Sequence, residues 1–545
     1  MNKTNNKDYP MRRRSFVQTT ALGAASVLLP SLSSIGMAQD RRLASIGSTV
    51  VTQQGRVRGL LRDGIEQFWG IAYGASTAGE NRFMPPRPPA AFSGVNDQFT
   101  IGRRSWQAPG VGEPAPVVLA TNRLEPEGED CLNLNIFTPG ADNQARPVMV
   151  WFHGGGFTSG SGNYLIYDGT NLAKTEDVVV VSVTHRLNIF GHLHLADIGG
   201  EHWARSTNVG VQDMIASLQW IADNIAQFGG DPERVTIFGQ SGGGGKTTTL
   251  MACPEAAGLF HRCIAQSGAA LRGIPASDAS AASEQFLRKL GIPANRLEDL
   301  YKLTPQQIQQ AFYSEPAIAG LGTGPVIDGS IIPHHQWDPA APAYSASVPL
   351  MAGSTQNENG WLGPPPFDLP DDEMLALFTT RLASGSQPKG QQLLDLYKAR
   401  HPETRNRMLW LTAESDNTRR WNAQLLSRLK YEQGKAASYL YFFNWQSPVH
   451  DNRMGAYHTL DIPFVFNNVD VAASMTGASQ YRYELAHIMS AAWAAFARTG
   501  DPNHADMPHW PAFNSADYPT MIFGQEVVVE NDPNKQERLA LAALR

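Results

Sequence analysis

Between about residues 145 and 270 the chain alternates short runs that are apolar at nearly every position with longer segments of helical periodicity. The runs "PVMVWFHGG", "VVVVSVTHR", "RVTIFGQS" and "RCIAQSG" show no polar face, so each predicts a strand covered on both sides. The segment "VGVQDMIASLQWIADNIAQF", between the second and third runs, predicts an amphipathic helix. Buried strands alternating with helices call for a mostly parallel central sheet flanked by helices, so the fold class is α/β. Sheets of this kind carry their chemistry at the carboxyl ends of their strands. The two glycine-rich turns "FHGGGF" and "GQSGG" fall at such ends.

The second turn opens the stretch "TIFGQSGGGGKTTTLMACP", Thr236 to Pro254, which admits two readings. Gly244-Gly245-Lys246-Thr247 resembles the end of a phosphate-binding loop, but that pattern needs glycine six positions before the lysine, and Gln240 stands there. Read from Gly239, the same stretch is G-x-S-x-G. It places Ser241 where a short buried strand, Val235 to Phe238, bends into a helix, a turn that presents a serine nucleophile. A serine nucleophile also needs a base, a carboxylate to orient that base, and N–H donors facing the developing oxyanion. Gly154-Gly155-Gly156 follows the run "VMVWF" and offers such donors without side chains in the way, and Gly242 offers another.

Composition narrows the partners. The chain has 545 residues, 42% hydrophobic and 17% charged, as a globular protein does, and its formal charge is -6. No basic patch lies outside the amino terminus, so nucleic acid is not an expected partner. Cys131, Cys253 and Cys263 form no C-x-x-C pair, and no histidines stand near them at ligand spacing, so neither zinc nor another metal is expected. His192, His194 and His202 in "GHLHLADIGGEHWAR" lack an H-E-x-x-H spacing and read as scattered loop histidines. The start, "MRRRSFVQTTALGAASVLLPSLSSIGMAQD", combines arginines, a short apolar stretch broken by Pro30 and small residues before Gln39. It predicts an export signal over residues 1–38, too short to stay as a membrane anchor in the mature protein, followed by a single domain over residues 39–545. Arg13-Arg14-Ser15-Phe16 resembles the twin-arginine signal, which implies a periplasmic or secreted protein exported already folded.

Blocks in a fixed order extend these readings. "FWGIAYG", "RFMPPRPP", "GEDCLNLNIFTP", "VMVWFHGGGFTSGSG", "FGGDPERVTIFGQSGG", "GPVIDG", "VPLMAGSTQNENG", "GAYHTLDIPFVF" and "WAAFARTGDPN" together resemble the type B carboxylesterase and cholinesterase family of α/β-hydrolases, from about Val51 to Asp532. The resemblance implies an α/β-hydrolase fold with long loop and helical insertions forming an active-site gorge. It matches the family nucleophile to Ser241, the acid to Glu358 in "STQNENG", the base to His458 in "GAYHTLDIPF", and the oxyanion donors to Gly155, Gly156 and Gly242. Neither Glu358 nor His458 is singled out by local pattern. The implied activity is hydrolysis of a small-molecule or oligomeric carboxylic ester through an acyl-enzyme, with no cofactor; the alternative is one of the family's non-catalytic adhesion domains, which typically lack a triad member. Arg82 with Glu129, and Arg186 with Asp213, match the family's structural ion pairs.

The chain departs from that family in places. Gln240 stands where G-E-S-A-G has an acid, and Ser105 stands where a cysteine would pair with Cys131. Cys131 is therefore expected to be free and the loop from Ser105 to Glu129 to lack its clasp. Cys253 and Cys263 could pair, although Cys263, on a predicted strand, reads as a small buried residue. The loop's only tryptophan is Trp106, at its start, so a cationic choline head has neither an aromatic seat nor an acid beside the serine. Lys246 opposes the dipole at a helix start and is expected to have a carboxylate partner.

Overall fold

The computed structural model describes residues 44–107, 125–314, 324–360 and 365–545. The expected export signal and most of the Ser105 to Glu129 loop lie outside them. Thirteen strands make one sheet: β1 Ser45–Val51, β2 Arg56–Arg62, β3 Ile65–Ala72, β4 Val95–Asp97, β5 Asn133–Thr138, β6 Arg146–Phe152, β7 Val179–Thr184, β8 Gly230–Gln240, β9 Arg262–Gln266, β10 Leu350–Thr355, β11 Ser438–Phe443, β12 Pro519–Phe523 and β13 Val527–Asn531. Their order is β1-β2-β3-β5-β7-β6-β8-β9-β10-β11-β12-β13, with β4 on β2. From β7 to β12 every neighbouring pair is parallel. The amino-terminal strands β1, β2, β3, β5 and β7 pair antiparallel in turn, and β13 closes the other edge antiparallel.

Residue alternation along the central strands sorts the core into two. In β6, Met149 and Trp151 face one core while Val148, Val150 and Phe152 face the other. Helix α5, Tyr481–Thr499, covers the first face with Met489, Trp493 and Phe496. Helices α1, Val209–Asn224, and α4, Trp421–Gln433, cover the second with Met214, Leu218, Leu426 and Leu429. The strands read as apolar runs because both of their faces are dry.

Two smaller cores lie in insertions. One gathers Phe190, Trp203, Phe286 and Phe312. The other gathers Phe378, Tyr397 and Trp410, the last from α3, Asn406–Ser415. Arg82 joins the first insertion to the sheet, its guanidinium on Glu129 with a shortest contact of 2.5 Å and on the Leu300 and Leu303 carbonyls. Arg186 and Asp213 form a fully buried bidentate pair at 2.6 and 2.8 Å. Cys131, Cys253 and Cys263 are all free thiols, buried and resistant to ionisation; burial pushes Cys131 and Cys263 up to about 12. Among the described residues no helix is long and apolar enough to cross a membrane.

Candidate active site

Strand β8 ends at Gln240, and Ser241 begins the turn into helix α2, Gly242–Leu250. Ser241 has φ 59° and ψ -123°, a conformation that side chains other than glycine rarely adopt. Its amide donates to the Gln266 carbonyl at 2.8 Å and its carbonyl accepts from Gly245 N–H at 3.1 Å, so the strained residue is held from both sides. The turn needs glycine because backbone passes against backbone. A Cβ on Gly243 would stand 2.0 Å from the Phe152 carbonyl oxygen, and one on Gly242 would stand 2.3 Å from the Gly156 nitrogen.

That second distance places the loop after β6 directly against the serine turn. Its carbonyls are fastened to other partners: Gly154 O lies 2.8 Å from His153 Nδ1, and Gly155 O accepts from Ser159 N–H at 3.0 Å. In a trans peptide the N–H of the next residue points opposite to the carbonyl, so these bonds turn the Gly155 and Gly156 N–H groups the other way. The Ser241 carbonyl, held by Gly245, does the same for Gly242 N–H. Among the described residues none of these three N–H groups donates to a backbone acceptor.

His458 and Glu358 come from the segments that follow β11 and β10. A parallel bridge between Asn357 and Tyr457 holds the two segments together, and the Asn357 side chain adds a bond from Ala456 N–H. His458 Nδ1 meets Glu358 Oε2 in a short hydrogen bond, which assigns the ring proton to Nδ1 and leaves Nε2 as acceptor. Glu358 Oε1 accepts from Thr355 N–H at 2.9 Å, and its own N–H donates to Ser415 Oγ at 2.8 Å. Burial pushes the Glu358 carboxyl up, but the His458 imidazole and the Arg419 guanidinium outweigh it and hold it below the usual carboxylate range. Gln240, next to Ser241 and itself buried, sets its amide nitrogen 3.2 Å from His458 Nδ1 and 3.4 Å from Nε2. His458 is thus brought against the end of β8.

The residues matched by resemblance therefore fall into one place: Ser241 and Gly242 against Gly155 and Gly156, and His458 against Glu358 and Gln240. Gln266 and Asp461 escaped the sequence reading. Gln266 fixes Ser241 through its carbonyl and binds Asp461 with its amide at 2.9 Å. Burial raises the Asp461 carboxyl to about 6. Lys246 corrects an expectation. No carboxylate meets it among the described residues; it is fully buried and donates to the His153 carbonyl at 2.8 Å. Burial holds its amine well below the usual lysine range, which disfavours the charge that would oppose the helix dipole. The His153 ring stacks on His185 with centroids 5.1 Å apart, and burial holds both far below the usual histidine range. His194 bonds to Thr207 and Asp197, and His202 stands edge-on to Trp203.

A model of the carboxylesterase family matches residues 47–541. The chain is 32% identical to the para-nitrobenzyl esterase of Bacillus subtilis over 500 residues, 90% of this chain and 98% of the relative. It is also 32% identical to the phenmedipham hydrolase of Pseudarthrobacter oxydans over 506 residues, 87% and 94% of the two chains. Among solved structures, a Geobacillus stearothermophilus carboxylesterase superposes with TM-score 0.77 at 35% identity, covering 90% of this chain and 99% of that one. An esterase from Clostridium hathewayi superposes with TM-score 0.81 at 31% identity, covering 92% and 100%. With the sheet, the serine turn and these likenesses together, the chain belongs to the carboxylesterase family of α/β-hydrolases and is a carboxylic ester hydrolase.

Proposed function

We propose that the chain hydrolyses esters by two-step acyl transfer with Ser241, His458 and Glu358 as its triad. His458 Nε2 takes the Ser241 proton as Oγ attacks the ester carbonyl, and Glu358 stabilises the imidazolium that forms. The N–H groups of Gly155, Gly156 and Gly242 bind the oxyanion. The proton then passes from His458 to the leaving alcohol, and water, activated by the same base, hydrolyses the acyl-enzyme. One observation carries this reading: the Glu358–His458 pair rests against the residue preceding a serine held in a strained turn. No step calls for a cofactor. Ser241→Ala should lose all but a trace of turnover of a small chromogenic ester, and all labelling by a covalent serine probe, while keeping its circular dichroism spectrum. A folded mutant that still turns over would remove the nucleophile.

The proposed substrate is a small-molecule or oligomeric carboxylic ester, entering a gorge walled by the insertions. The Clostridium hathewayi esterase is described as able to hydrolyse aliphatic aromatic polyesters, which makes short aromatic oligoesters a first choice for a substrate panel. The chain is further proposed to be exported folded, with residues 1–38 as signal and 39–545 as the mature enzyme. Replacing Arg13 and Arg14 by lysine should then strand activity in the cytoplasm; unchanged periplasmic activity would point to the general secretory route.

A further inference from the structure

Three consecutive carbonyls set the direction of the glycine loop, and each is fastened differently. Gly155 O is held by neighbouring backbone N–H groups, and Gly154 O by the ring of the preceding histidine. His153 O is the first carbonyl after β6 leaves the ladder, whose last pair with β8 is Phe152 with Gly239. It is buried, and a buried carbonyl needs a donor. The first four residues of α2, Gly242 to Gly245, have no side chains, and the helix needs that bareness to lie against Phe152. Position 246, one turn in, is therefore the earliest on this helix from which a side chain can reach back to the loop. Lysine spans the gap and bonds the His153 carbonyl at 2.8 Å.

His153 Nδ1 donates to Gly154 O and stands 3.5 Å from the Lys246 nitrogen, so the imidazole and the amine hold the loop's first two carbonyls side by side.

We propose that Lys246 is a positioning residue for ester hydrolysis: its bond to the His153 carbonyl fixes the peptide plane at the root of the Gly154–Gly156 loop, and so the direction in which the loop's N–H groups meet the oxyanion. Lys246 touches no reacting atom and acts through the loop alone. The proposal rests on the assignment of Gly155 and Gly156 as oxyanion donors. It separates two roles that a purely structural lysine would combine. If Lys246 only satisfied a carbonyl, its loss would weaken the fold and leave the transition state of the surviving molecules untouched. If it aims the loop, its loss also acts on the transition state of the molecules that fold.

The test is Lys246→Met, close in volume and unable to donate. Expected are a fall in kcat of tenfold or more with KM within about twofold, and a matching fall in affinity for a trifluoromethyl ketone that forms a tetrahedral adduct. Wild-type kcat in the folded mutant overturns the proposal, as does a lower urea midpoint with unchanged affinity for the ketone. If Lys246→Met does not fold, Lys246→Gln, whose amide can still donate, is compared with Lys246→Ala. A tenfold advantage for glutamine supports the role, and equal kcat overturns it. Labelling of Ser241 by a serine probe is followed in parallel: its absence in the wild type would sink the triad itself, whereas normal labelling with wild-type kcat in Lys246→Met would sink only this proposal.

Discussion

Glu358→Gln changes one atom and removes one charge, which makes it the sharpest probe of the proposed mechanism. The carboxylate stands in hydrogen-bond contact with His458 Nδ1, so its charge lies about 4 Å from the centre of the imidazolium formed during attack. Two unit charges at that separation interact by about 4 kcal/mol at an effective dielectric of about 20, corresponding to roughly a thousandfold in rate. The glutamine oxygen can keep the bond from Thr355 N–H, which leaves its NH2 group facing the ring and opposes the tautomer with the proton on Nδ1. Both effects act in one direction. The expected fall in kcat/KM for a p-nitrophenyl ester at pH 8 is therefore on the order of 10^3, in kcat rather than KM, with the same loss in the rate of probe labelling. A loss below tenfold in a folded mutant would refute the role assigned to the carboxylate. Stability supplies an independent check. Glu358 is held below its ordinary 4.5 in the folded chain, so its contribution is full above pH 4.5 and fades as pH falls through the folded value; wild type and mutant should converge in acid.

Further outcomes follow from the same contacts. Asp213→Asn leaves the Arg186 guanidinium buried beside a neutral amide and should destabilise by about 3–5 kcal/mol in urea unfolding. Ser105 is a neighbour of the Cys131 thiol, so Ser105→Cys should close a disulfide under oxidising conditions, adding about 3 kcal/mol and raising Tm, an effect abolished by reductant. Burial holds the Lys246 amine well below its ordinary 10.5, so between its folded value and 10.5 the unfolded chain binds the extra proton and stability rises with pH. As pH rises toward 10.5 the wild type should gain stability relative to Lys246→Met, and parallel curves would show that the buried amine keeps its ordinary hold on the proton. At matched acyl groups and low salt, choline esters should be turned over no better than neutral esters of equal size, since Gln240 brings no charge; a tenfold preference would reveal another anionic or aromatic seat.

The central strands were legible because burial on both faces leaves an uninterrupted apolar signature, and β6, β7, β8 and β9 stand where the runs "PVMVWF", "VVVVSVT", "RVTIFGQ" and "RCIAQ" predicted them. Strand β8 starts earlier than the apolar run because Gly230 already pairs with Arg146 of β6, while the polar residues Asp231 to Arg234 bulge out before the ladder resumes at Val235. The amino-terminal strands β1 and β2 left no such trace, having exposed residues along one face. At the site, the serine turn could be read because its glycines are demanded by local backbone crowding. Glu358 and His458 could not be found by pattern, because each is a single side chain on a loop whose partner lies one hundred residues away. Lys246 misled for a physical reason: the expectation assumed an ammonium that needs a carboxylate, whereas the buried amine finds a backbone carbonyl.

Ser241, His458 and Glu358 follow three different strands, and β9 stands between those of Ser241 and Glu358. No fragment short of residue 458 contains the set, and the parallel pairings that bring its members together are slow, long-range closures. With the proposed triad, catalysis is in this sense a property of the closed sheet rather than of any segment. During refolding, turnover should return later than helical signal, and only when the whole block from β8 to β11 has registered. An ester assay then serves as a gauge of complete folding, sensitive to defects far from the serine that spectroscopy would average away.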